Sequence, residues 1–361
     1  MTFAIAAAGT GGHIFPGLAV AEQLVAAGVG REHVLFIGGD RMEVDLVPKE
    51  GYPLLRIRIH GLERRMSLRN LRIPRLVWEA ARTVARELRD RKVGAVLCMG
   101  SYVTVPVAIA ARRTGVPLYV HEQNAGAGLA NRLAGRWADR SLVSFPDTRG
   151  LAGEVVGYPL RSALTTLDKA SVRPAALARY GLVSGVDTVG VMGGSLGAGS
   201  INEAVTALSA NWKGEPIQIV HLAGARNQDQ VSTAGDSPSV TRRVLGFEDR
   251  MDLFYAVSDV VIARAGGGVM EAAVTGTPSV LVPGSFAGHH QLANARSMVE
   301  AGAAVLVDDA ELGSVGGILE DLLADPERRD RMRRAAIDAA RPGAAATIAT
   351  MMMDGADVAA R

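Results

Sequence analysis

Apolar residues along this chain fall in short, nearly unbroken runs, and most of the runs end on glycine or on polar side chains. In the first half they lie at about residues 2–8, 33–38, 52–59, 94–99, 116–121 and 140–144. In the second half they lie at about 187–193, 216–222, 240–245, 259–263, 278–282 and 303–307. Between the runs the apolar spacing turns helical, as in Pro16–Ala27, Trp78–Arg91 and Val103–Arg113. Continuous apolar strands alternating with helices predict parallel sheets covered on both faces, an α/β protein. The order repeats between the halves, without close sequence repetition beyond two glycine-rich loops. Gly157-Tyr158-Pro159-Leu160-Arg161 can break a strand and turn the chain, which divides it into domains at 1–160 and 161–343. The alanine-rich helix expected over 344–361 is free to fold back onto the first domain.

The two glycine loops follow the first strand of each half. Phe3–Ala8 runs into Gly9-Thr10-Gly11-Gly12-His13, and Thr188–Met192 runs into Gly193-Gly194-Ser195-Leu196-Gly197. A glycine-rich turn between strand and helix exposes backbone N–H groups at the positive end of the helix dipole, where anions bind. Two such loops suggest two nucleotide-type domains facing one cleft. His13, at a helix start, would have its cation disfavoured and its neutral imidazole ready to accept a proton. The alternative is an ordinary βα turn with a surface histidine. The second loop lacks the Gly-Lys-Ser/Thr of a P-loop and the Gly-x-Gly-x-x-Gly spacing of a dinucleotide site.

Composition narrows the setting. Hydrophobic residues make up 48% of 361, enough for two buried domains. Aromatics are 4%, which argues against a stacking platform for nucleic acid. The single cysteine, Cys98, excludes a disulfide framework and suits a reducing compartment. No basic leader or bilayer-length apolar stretch is present. The net charge of +2 conceals an asymmetry, since residues 1–160 carry 21 Lys and Arg against 14 Asp and Glu. The second half is acidic, so the first half is the one expected to face something anionic.

Three further segments carry candidate chemistry. His121-Glu122-Gln123-Asn124 ends an apolar strand, where open α/β sheets place ligands, although Asn124 could instead cap the next helix. Arg264-Ala265-Gly266-Gly267-Gly268-Val269-Met270-Glu271 would let a flat ring approach the backbone and set Glu271 to accept from two ribose hydroxyls. The alternative for Glu271 is a solvated helix position. His289 and His290 diverge on a helix and have no third ligand, and no Asp-x-Asp occurs, so no metal is signposted. The stretch 60–82 interleaves Arg64, Arg65, Arg69, Arg72, Arg75 and Arg82 with large apolar residues including Trp78. That pattern suits an anionic membrane surface; a solvated helix face is the plain alternative.

Taken together these motifs resemble the bacterial peptidoglycan glycosyltransferases that add N-acetylglucosamine to an undecaprenyl-linked muramyl-pentapeptide. The resemblance covers nearly the whole chain. It runs through Gly9–Ala19, Asp40-Arg41-Met42-Glu43, Met99–Val103, His121–Asn124, Val156–Arg161, Gly193–Gly197, Phe247–Met251 and the Gln291…Asn294-Ala295 segment. It implies a GT-B fold, two Rossmann-like domains with a deep cleft, the donor UDP-N-acetylglucosamine (UDP-GlcNAc) on the C-terminal domain and the lipid acceptor on the N-terminal one. Carried over by position, Thr10, Gly11 and Gly12 would line the sugar and phosphate end, and Asn124 would contact the sugar. Arg161 and Ser195 would meet the diphosphate. Gly266, Gly267, Gly268 and Val269 would pack near the nucleotide, Glu271 would hold the ribose, and His290 and Gln291 would line the sugar rim. His13 would be the general base. Ser101 stands where the family pattern has glycine, His290 where it has glutamine, and the segment after Arg264 is one residue short.

The resemblance implies an inverting transfer without a cofactor, from UDP-GlcNAc to the C4 hydroxyl of the muramyl sugar. The partners would be the undecaprenyl-linked acceptor and the anionic inner leaflet of the cell membrane, with the protein peripheral on its cytoplasmic side. Alternatives are a GT-B transferase with another acceptor, a UDP-sugar 2-epimerase, and a non-catalytic nucleotide-sugar-binding protein.

Overall fold

A computed structural model describes residues 1–59, 73–194, 197–284 and 290–359, with the His290 side chain excepted. The chain divides into two compact units. The first comprises Met1–Ser162 with the chain from Pro342 onward, and the second Ala163–Arg341.

The first unit begins with β1 (Thr2–Ala6), α1 (Gly11–Ala26), β2 (Val34–Gly38), α2 (Glu43–Lys49), β3 (Leu54–Arg56) and α3 (Ile73–Asp90). It continues with β4 (Val93–Cys98), α4 (Thr104–Thr114), β5 (Leu118–Glu122), α5 (Leu129–Ala134), β6 (Arg140–Val143) and the two-residue β7 (Glu154–Val155). The second unit contains α6 (Ser162–Thr165, whose first residue still belongs to the first), α7 (Lys169–Tyr180), β8 (Asp187–Met192), α8 (Gly199–Asn211), β9 (Ile217–Leu222) and β10 (Val240–Leu245). After these come α9 (Met251–Val257), β11 (Val260–Ala263), α10 (Gly268–Val274), β12 (Ser279–Leu281), α11 (His290–Glu300), β13 (Ala304–Leu306), α12 (Val315–Ala324) and α13 (Pro326–Ala339). The last helix, α14 (Ala344–Ala359), belongs to the first unit.

Both sheets are wholly parallel, in the orders β3-β2-β1-β4-β5-β6-β7 and β10-β9-β8-β11-β12-β13. Each order reverses once, between β1 and β4 and between β8 and β11. Such reversals open a crevice at the carboxyl ends of the strands, where doubly wound sheets take ligands.

The strand period explains why both faces are covered. Phe3 and Ile5 join one core with Leu18 and Leu24 of α1 and Ile348 and Met352 of α14. Ala4 and Ala6 join another with Val84 and Leu88 of α3 and Val107 and Ala111 of α4. In the second unit Val189, Val191, Val260 and Ile262 pack with Ile201 and Val205 of α8 and Leu319 and Leu322 of α12. Asp168 caps α7 by accepting from the amides of Ala170 and Ser171.

Two local expectations give way. α1 starts at Gly11, after an extended Thr10, and holds Pro16 in its interior, where the sequence places Pro16 at the start. Proline suits a first helical turn, but Pro16 sits buried at the sixth position of this helix, with the loss of one backbone bond. Asn124 does not cap α5, whose N-cap is Gly128; the Asn124 amide donates to Glu122 Oε1 instead.

Candidate active site

At the reversal of the first sheet, the loops after β1, β4 and β5 converge. Because α1 starts at Gly11, His13 lies in its first turn, with its amide donating to the Thr10 carbonyl at 3.1 Å and Nδ1 3.2 Å from Thr10 Oγ1. Thr10 and Gly12 are exposed, His13 is partly so, and Gly11 is buried. The His13 ring lies against Gly100. A Cβ there would stand 2.9 Å from His13 Cδ2 and 3.1 Å from Nε2, and Gly100 has φ of +95°. Only glycine accommodates both constraints.

β5 supplies the polar floor. Glu122 is 3% exposed, and its oxygens accept from the Asn124 amide and side chain at 3.1 Å each, the Gly128 amide at 3.1 Å and Asn131 Nδ2 at 2.9 Å. Asn131 Nδ2 also donates to the His121 carbonyl and lies close to Gly100. His121 is fully buried between the Gly157 carbonyl and Gln123, and burial pulls its pKa down to about 4, so its imidazole is neutral at pH 7. Glu122 thus fixes Asn124 and Asn131, and Asn131 stands beside the glycine against which His13 lies. Sequence reasoning missed Asn131; its signal was an asparagine on the inward face of a short apolar helix.

Ser101, beside Gly100, has φ of +72°, and its buried hydroxyl has no hydrogen-bond partner among the described residues. A left-handed non-glycine residue costs about 1 kcal/mol or more. Ser101→Gly is therefore expected to stabilise the first unit by about 1 kcal/mol, raising the melting temperature by roughly 2–4 °C in calorimetry. An unchanged or lower melting temperature would show that the serine is not strained.

Arg161 lies elsewhere in the first unit. Its guanidinium is paired with Glu22 of α1 and with Glu50 at 3.1 Å, and Glu22 also accepts from the Ser162 amide. The resemblance makes Arg161 a diphosphate contact; in this structure its guanidinium is engaged by these two carboxylates.

The second unit repeats the plan at β8 and β11. Gly194 and Gly197 have positive φ, and α8 begins at Gly199; Ser195 lies outside the described residues. At the end of β11, Arg264 reaches Ser200 Oγ at 2.6 Å, Asp309 at 2.6 Å and the Val282 carbonyl at 3.2 Å. Gly266 and Gly267 are partly exposed, Gly268 packs against Met192, and Val269 is buried. Glu271 accepts from the buried Tyr255 hydroxyl at 3.2 Å through Oε2, and burial raises its pKa. Gln291 Oε1 accepts from the Gly284 amide at 2.7 Å, and Asn294 donates to the Ala265 carbonyl at 3.1 Å. Gly266–Gly268, Glu271 and Gln291 are therefore gathered around one strand end. Of His290 only the backbone is described, as the first residue of α11.

Arg75 and Trp78 stand exposed on α3, with the Arg113 guanidinium 4.4 Å from the Trp78 ring centre. Arg64, Arg65, Arg69 and Arg72 lie outside the described residues. Among the described residues no three His, Cys, Asp or Glu side chains cluster as a metal site, and no helix is long and apolar enough to cross a membrane.

Residues 3–143 match the glycosyltransferase family 28 N-terminal domain, and residues 188–348 match its C-terminal domain. The chain belongs to glycosyltransferase family 28. Within the family, a Streptomyces avermitilis UDP-N-acetylglucosamine–N-acetylmuramyl-(pentapeptide) pyrophosphoryl-undecaprenol N-acetylglucosamine transferase is 38% identical over 343 residues, 93% of each chain. A Streptomyces coelicolor relative of the same name is 36% identical over the full length of both. The crystal structure of Acinetobacter baumannii MurG is 28% identical, with a TM-score of 0.75, and covers 98% of this chain and 99% of its own. The match makes the fold GT-B. A UDP-GlcNAc 2-epimerase from Neisseria meningitidis shares the fold alone, at 14% identity and a TM-score of 0.68 over 98% of this chain and 100% of its own.

Proposed function

We propose that this chain is an inverting glycosyltransferase that moves N-acetylglucosamine from UDP-GlcNAc to the C4 hydroxyl of the muramyl sugar in undecaprenyl-diphospho-muramyl-pentapeptide, a step of peptidoglycan synthesis. The observation that carries the assignment is the full-length similarity to transferases of that name. The seating of His13 against Gly100 at the first sheet's reversal supports the mechanism.

In the mechanism, His13 takes the proton of the acceptor hydroxyl as its oxygen attacks the anomeric carbon. The bond to UDP breaks in the same step, turning the α-linked donor into a β-linked product. The Gly194 amide and the amino end of α8 meet the charge that grows on the diphosphate. Glu271, already oriented by Tyr255, keeps Oε1 for the ribose hydroxyls. Gln291 and Asn124 serve the sugar.

The test is UDP release from UDP-GlcNAc with and without the lipid-linked acceptor, repeated in EDTA. Acceptor-dependent release with a disaccharide product supports the assignment, and its survival in EDTA supports a metal-free step. Consumption of UDP-GlcNAc without acceptor would point to an epimerase. Binding without turnover under any condition would point to a binding protein.

The same reading places the protein on the cytoplasmic face of the membrane. The excess of basic residues over 1–160 and the exposed Arg75 and Trp78 support docking on anionic lipid. Each basic side chain near such a surface contributes about 1 kcal/mol. Arg75→Glu with Trp78→Ser is expected to weaken sedimentation with phosphatidylglycerol vesicles by at least about tenfold, and wild-type binding should fall as salt rises. Equal binding by the variant would move the contact away from α3.

A further inference from the structure

Glu43 opens α2, and its side chain is entirely buried. Its oxygens are occupied by donors from neighbouring loops. Oε2 accepts from the Gly9 amide at 3.0 Å, and Oε1 accepts from the Gly39 amide at 2.8 Å and the Arg41 amide at 3.3 Å. The Tyr102 hydroxyl donates to Oε1 at 3.5 Å. These donors follow β2 and the two strands, β1 and β4, that flank the sheet's reversal. Two glycines make the room: a Cβ at Gly38 would lie 2.7 Å from Glu43 Cγ, and one at Gly39 would collide with the Tyr102 hydroxyl.

The connection to chemistry runs through Gly9. It has φ of +96°, and it directly precedes Thr10, which bonds to His13. A buried carboxylate is unfavourable unless its lone pairs are used, and here both oxygens accept from N–H donors. A glutamine of the same shape offers one accepting oxygen and would turn an N–H toward either Gly9 or Gly39.

We propose that Glu43 is a positioning residue for the transfer: by gripping Gly9 it fixes the Thr10–His13 turn and so the direction of the imidazole. This rests on His13 acting as the base. A displacement of about 1 Å at a reacting group is enough to lower turnover about 100-fold.

The experiment is a cycle of wild type, Glu43→Gln, His13→Ala and the double variant, assayed with UDP-GlcNAc and the lipid-linked acceptor. UDP binding and thermal melting are followed in parallel. Glu43→Gln is expected to lower kcat about 10- to 100-fold, with the donor KM and UDP affinity unchanged, and to add no further loss to His13→Ala. Normal turnover by Glu43→Gln, or an equal loss in both backgrounds, overturns the proposal and leaves Glu43 a scaffold residue. Tyr102→Phe, which removes one donor to the same carboxylate, gives a second reading should Glu43→Gln not fold. A kcat loss that disappears with His13→Ala supports the proposal, and additivity or no loss overturns it. Full turnover by His13→Ala itself would sink the base assignment, separately from anything Glu43→Gln does.

Discussion

Replacing His13 with alanine is expected to lower turnover by about 10²–10⁴-fold, the range for removal of a general base. UDP binding should be unchanged. The argument is geometric. The imidazole is a partly exposed titratable group at the first sheet's reversal, and it is held by Thr10 on one side and by Gly100 on the other. His121 is a poor rival, since it is fully buried with both ring nitrogens engaged. The pH profile of kcat/KM should lose its acidic limb in His13→Ala, because that limb reports protonation of the free enzyme's base. A variant with near-normal turnover and an intact acidic limb would show that another group takes the proton.

Removing the chain from Pro342 onward is expected to unfold the first unit. α14 buries Ile348, Met352, Ala345, Ala349 and Ala356 against the face of the sheet that α1 also covers. Burying a side chain such as Ile or Met contributes about 1.5–3 kcal/mol, and each alanine methyl about 0.8 kcal/mol. The total, about 5–8 kcal/mol as an upper figure, rivals the roughly 5–15 kcal/mol stability of a whole domain. The Tyr119 hydroxyl would also lose the Met351 carbonyl, its acceptor at 2.6 Å. A point variant asks the same question more gently: a Cβ at Gly355 would collide with the Tyr119 hydroxyl, so Gly355→Val should force α14 off its seat. Calorimetry of both variants is decisive. Wild-type melting by the truncated chain would mean that α14 is dispensable packing.

The fold was legible because strand runs and glycine loops are local signals. Phe3–Ala8 and Thr188–Met192 declare buried parallel strands without any knowledge of their neighbours. Helix starts were less legible, as Pro16 shows, because a proline is a common start signal and the true start depends on an extended Thr10. The site was readable only in part. Gly9–His13 and Gly266–Glu271 announce themselves by glycine next to a titratable group. Glu43, Asn131 and Tyr255 do not, because each is defined by what the fold sets against it: the Gly9 amide for Glu43, the end of β5 for Asn131 and Glu271 for Tyr255. The partners of Arg161 were hidden for the same reason, since Glu22 and Glu50 lie more than a hundred residues before it.

The first unit is built from both ends of the chain, which has a consequence for synthesis. On the ribosome, the sheet of residues 1–162 emerges well before α14, which covers part of one of its faces. The second unit, Ala163–Arg341, has all of its elements available before then. The growing chain therefore carries an incompletely covered apolar face until α14 emerges, and the unit begun before the second is completed after it.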